Sequence, residues 1–77
     1  MRSYPKQNTP EFYEIRIEGH LDEERSHGLS GMSITLLPNG QTQITGYVVD
    51  QAALFGILIR IRDMGIPLIS VMRTNNS

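Results

Sequence analysis

The segment Asp50–Gly65, DQAALFGILIRIRDMG, decides the fold class of this chain. Leu54, Ile57, Leu58, Ile61 and Met64 recur at the three- and four-residue spacing that places side chains on one side of a helix turning about 100° per residue. Asp50 stands where an N-cap carboxylate accepts a backbone N–H from the first turn. Gly65 stands where a left-handed residue closes a helix, and Pro67 just beyond cannot continue it. The segment reads as one amphipathic helix with both ends punctuated.

A second apolar group shares that helix. Ala52, Phe55, Gly56 and Ile59 lie off the core stripe, one turn apart from one another. Gly56 is costly there, because glycine in a helix interior loses about 1 kcal/mol relative to alanine. One reading is local: Phe55 and Ile59 pack over a sheet edge and Gly56 relieves crowding against a loop. The other is an interface, since an apolar shoulder beside two small residues lets a second surface approach closely. Arg60, Arg62 and Asp63 read as the solvated face, with Arg60 complementing the C-terminal carbonyls. A guanidinium at Arg62 matches an anionic ligand, but the sequence supplies no other part of such a site.

The segments around the helix are strands. In EFYEIRIEGHL, Tyr13, Ile15 and Ile17 alternate with Glu14, Arg16 and Glu18, the period of a half-buried strand. MSITLL and QTQITGYVV form two more, joined at Pro38-Asn39-Gly40, where proline presets a turn and glycine accepts positive φ. Ile34, Leu36, Ile44 and Val48 are the inward residues of that hairpin; Thr35, Gln43 and Thr45 face out. PLISVMR supplies a last strand.

The order β-β-β-α-β predicts an α+β, two-layer domain, a four-stranded mixed sheet with one helix on one face. Up-down-up pairing predicts parallel first, third and fourth strands and the spatial order third, second, first, fourth, with the last strand beside the third as the alternative. Residues 1–10 read as a mobile N-terminal tail, 11–73 as the single domain and 74–77 as a C-terminal tail.

With 77 residues and no cysteine, the chain has neither a disulfide framework nor thiolate metal ligands to support a core supplying only ~3–5 kcal/mol. Oligomerisation is the remaining common support. Seven basic against eight acidic residues give no electrostatic footprint for nucleic acid. A single tyrosine, Tyr47, on an acidic sheet face is too little for base stacking. No apolar run is long enough for a signal peptide or membrane span, so a cytoplasmic setting is expected.

GHLDEERSHGLSG carries His20 and His27 around Asp22, Glu23 and Glu24, at no established metal-ligand spacing. Ser26, Ser30 and Ser33 near His27 do not make a nucleophile with its base, and no glycine-rich phosphate loop is present. No cofactor is expected.

YEIRIEGHL at 13–21 and TGYVVDQAALFGILIRIRDMGIPLISV at 45–71 resemble a group of small stand-alone bacterial proteins of unassigned function. Their pattern is Tyr-x-Ile-Arg-x-x-Gly, then Asp-Gln-Ala-Ala-Leu-x-Gly-x-Leu-x-Arg-Ile-Arg-Asp-x-Gly. The resemblance implies one compact domain and brings no activity with it. This chain has ERSHGLSG where the group is aromatic-rich and Phe55 where it often has histidine, so roles resting on those residues do not carry over. Phe55 makes the helix shoulder more apolar.

The expectation is a non-enzymatic interaction module that self-associates as a homodimer, through Ala52, Phe55, Gly56 and Ile59 or through a sheet edge. Two competing readings are a small-molecule-sensing regulatory domain and, further off, an enzyme using the His20/His27 acidic loop.

Overall fold

The structure, a computed structural model, describes residues 10–22, 29 and 31–74. Four strands and one helix follow in the order β1 (Glu11–Glu18), β2 (Ser33–Leu36), β3 (Gln41–Val48), α1 (Gln51–Asp63) and β4 (Leu68–Thr74). The α+β class, the β-β-β-α-β order and the single helix on one sheet face agree with the sequence. The pairing differs. The sheet runs β2-β3-β1-β4, and every neighbouring pair is antiparallel, so it is not mixed.

The reason lies in connection length. Up-down-up pairing assumes tight turns, and only β2 and β3 are joined by one. Residues 19–32 are long enough to carry the chain from β1 across the width of a strand, and β2 then starts parallel to β1 with an empty slot between them. β3 returns into that slot, pairing Ile15 with Ile44 on one side and Ile44 with Ile34 on the other. The helix then crosses over β1 and delivers β4 to its far side, with Ile15 opposite Val71 and a register shift at Arg16/Ile17.

Both punctuation marks of the helix work as read. Asp50 Oδ1 accepts from the Ala53 N–H at 2.9 Å. At the other end Gly65 has φ +75°, its N–H donates to Arg62 O, and the Ile66 N–H donates to Ile61 O. Those two bonds make the Schellman closure that a left-handed glycine permits. In the hairpin the Gly40 N–H donates to Leu37 O, and Asn39 Oδ1 accepts from the Gln41 N–H.

Tyr13, Ile15, Ile17, Ile44 and Val48 on the sheet meet Leu54 and Ile61 on the helix in one buried cluster, with Ile57, Leu58 and Met64 packed against it. Leu21 and Leu29, from the segment between β1 and β2, complete the core. Leu36 does not join it: β2 is an edge strand beyond the reach of the helix, and Leu36 stays exposed. Among the described residues no helix is long and apolar enough to cross a membrane.

Candidate interaction surface

The helix has two unequal flanks. On one, Ala53 and Ile57 line an open cleft of about 250 Å³ with Gly31, Met32 and Tyr47–Val49 of the β3 side. On the other, Gln51 Nε2 donates to the Tyr13 hydroxyl at 3.5 Å, which sets this flank over β1, and Tyr13 lies opposite Arg73 of β4. At about 100° per residue, Phe55 stands roughly 40° and Ile59 roughly 80° from Gln51, whereas Ala53 is roughly 160° away. Phe55 therefore leans to the β4 flank, while Ile59, roughly 160° from the buried Ile61, points away from the sheet.

Neither packs on the fold: Phe55 is 54% and Ile59 46% exposed, and Ala52 and Gly56 beside them are exposed as well. A Cβ built on Gly56 meets nothing within 4 Å, so no contact among the described residues asks for glycine there. The local reading of the shoulder, packing over a sheet edge with Gly56 relieving a crowded loop, has no counterpart among the described residues. The close approach that requires a glycine is instead at Gly46 in β3. A Cβ there would stand 2.7 Å from Met32 Sδ and 3.3 Å from Gly31 O. Its signal in the sequence is a lone glycine inside a strand pattern.

β4 adds to the same flank. Leu68 and Ile69 are exposed large apolar residues, as is Met72 on the outer face, and among the described residues only β1 pairs with this strand. The expected strand order already put the last strand at an edge, beside the first. The other edge, β2, is four residues long and ends against Pro38, features that discourage further pairing.

The outer sheet face is polar except for one aromatic pair and Met72, which stands opposite Glu14 there. Arg16 Nε donates to Glu14 Oε2 at 2.9 Å and its Nη2 to Gln43 Oε1 at 3.3 Å. Tyr47 faces Phe12 across the β1–β3 pair, edge to face, with ring centroids 5.0 Å apart. Arg62 is engaged by its neighbour Asp63 at 3.1 Å in full view of solvent, so the two do not form a pre-built anion site.

His20 Nε2–H donates to Leu37 O at 3.0 Å, in an exposed position that ties residues 19–22 to the hairpin turn. Among the described residues no three His, Asp or Glu side chains converge on a point that could hold a metal ion. His27, Glu23, Glu24, Ser26, Gly28 and Ser30 lie outside the described residues, as do most of both tails.

No curated protein and no solved structure matches this chain. A family model does match residues 12–72, nearly the whole of the sheet and helix described above. The chain belongs to that family, whose description is Domain of unknown function (DUF8691).

Proposed function

We propose that this domain is a non-enzymatic interaction module that self-associates, its partner a second copy of the chain, through the shoulder of Ala52, Phe55, Gly56 and Ile59. One observation carries the reading: a phenylalanine and an isoleucine stay half exposed beside a glycine that has open space above it. Fully burying a side chain of that size stabilises by about 1.5–3 kcal/mol. That is a large share of what a core this small provides. Glycine at 56 costs helix stability and gains nothing among the described residues, and a close-packed partner is the use that would offset it. A cytoplasmic setting goes with this reading.

The alternative is small-molecule sensing, and its place would be the cleft between Met32, Val48 and Ile57. At 250 Å³ the cleft falls below the usual ~300–1,000 Å³ of ligand sites, and no charged group lines it. Self-association is therefore favoured.

Light scattering at micromolar concentration, on the wild type and on Phe55→Glu, separates the two. Self-association gives a dimer for the wild type and a monomer for the folded variant. A wild-type monomer whose melting temperature rises with one member of a metabolite panel would replace this reading with the sensor.

A further inference from the structure

Among the described residues, the strand β4 has a backbone edge that no other strand pairs with. The Glu18 N–H donates to Pro67 O, so the backbone of Glu18 faces β4, and by alternation so do Arg16, Glu14 and Phe12. Their partners Ser70, Met72 and Thr74 are the residues of β4 that bond inward. The N–H and C=O groups of Val71 and Arg73 consequently point away from the sheet, and Ile69, the extra residue at the register shift, has no partner on β1. An edge of this kind is a template for another strand unless it is blocked. Beyond the register shift near Leu68 this one has no proline, no lysine and no inward carboxylate.

We infer that β4 pairs antiparallel with β4 of a second copy about a two-fold axis through Val71, so that the two sheets become one of eight strands. This rests on the self-association proposed above and names its geometry. The register follows from the strand itself. Antiparallel partners must both point their backbones inward or both outward, so the axis passes through a residue and not between two. An axis at Arg73 sets two guanidinium groups against each other. An axis at Ile69 brings Val71, and one at Ser70 brings Arg73, opposite Pro67, which has no N–H to give, and an axis at Met72 leaves Leu68 and Ile69 without a partner on β4. An axis at Val71 overlaps all seven residues of β4, pairs Ile69 with Arg73 of the other copy and Ser70 with Met72, and leaves the single charge without a like neighbour.

Area argues that Phe55 of the helix belongs to the same contact. Seven residues at ~3.4 Å each give a strip roughly 24 Å long and ~10 Å tall, about 240 Å², far short of the ~800 Å² per partner of stable interfaces. Phe55 stands on the β4 flank of the helix, on the sheet face that also carries Leu68 and Val71. The two-fold axis that joins the edges turns the Phe55 of each copy toward the same seam.

A chain without cysteine makes the test clean. The Val71 pair is a hydrogen-bonded pair with Cα atoms about 5.5 Å apart, within the ~4.4–6.8 Å that a disulfide spans. Full-length Val71→Cys, mildly oxidised at micromolar concentration, is expected to form a linked dimer roughly a hundredfold faster than Ile69→Cys, since paired thiols meet at an effective concentration near mM. The double variant Ile69→Cys/Arg73→Cys restores rapid linkage. Circular dichroism of each reduced variant confirms that it folds. A dimer that links no faster at 71 than at 69 overturns the β4 pairing while leaving self-association through the helix standing. A monomer overturns both.

Discussion

Thr42 is the one buried polar residue among those described, and it closes the far corner of the sheet. Its hydroxyl donates to Gly19 O at 2.6 Å and accepts from the Leu21 N–H at 3.3 Å, which turns the chain after β1 and seats Leu21 in the core. Thr42→Val keeps the shape and removes both bonds. Leaving Gly19 C=O and Leu21 N–H without that partner is expected to cost about 1–3 kcal/mol, read as a lower urea midpoint at unchanged slope. An unchanged midpoint would mean that water serves those groups equally well. Alternation along β3 put Ile44 and Val48 inside from the sequence alone, but not this bond, because its acceptor is 23 residues away. Leu21 and Leu29 escaped for the same reason. In an acidic, irregular segment no periodicity marks a core residue, and only the path of the chain brings them under the helix.

The helix was the most legible element, because its signals are local: a carboxylate at Asp50, a stripe at Leu54, Ile57, Leu58, Ile61 and Met64, and a left-handed Gly65. Strand order was legible in part: the β2–β3 hairpin and β4 beside β1 were readable, but which strand of the hairpin meets β1 depends on where residues 19–32 carry the chain, and nothing in their sequence states that. The shoulder stood between these cases. Its four residues were readable as surplus to the core, and the structure leaves all four exposed. Gly56→Ala separates the helix's own preference from the interface. In dilute monomer the alanine finds open space and favours the helix, adding about 0.8–1 kcal/mol, a rise in melting temperature of roughly 4–8 °C for a domain of this size. At concentrations where the chain self-associates, the added methyl holds a close-packed partner away and weakens the dimer. A variant that gains stability at every concentration without loss of dimer would remove Gly56 from the contact.

Across the whole molecule the exposed apolar side chains are unevenly placed. Among the described residues, five of the eight large ones left exposed, Phe55, Ile59, Leu68, Ile69 and Met72, sit on β4 or on the helix. The opposite edge of the sheet is short, and the outer face is largely polar. Among the described residues one helix on four strands leaves β4 uncovered, and in the proposed dimer a second copy, laid edge to edge, would cover it without any change in the fold. Sedimentation equilibrium of the wild-type chain over micromolar concentrations tests this most directly. Self-association requires a mass rising to twice the 8.7 kDa of the chain as concentration increases. A mass that stays at 8.7 kDa throughout that range would contradict it.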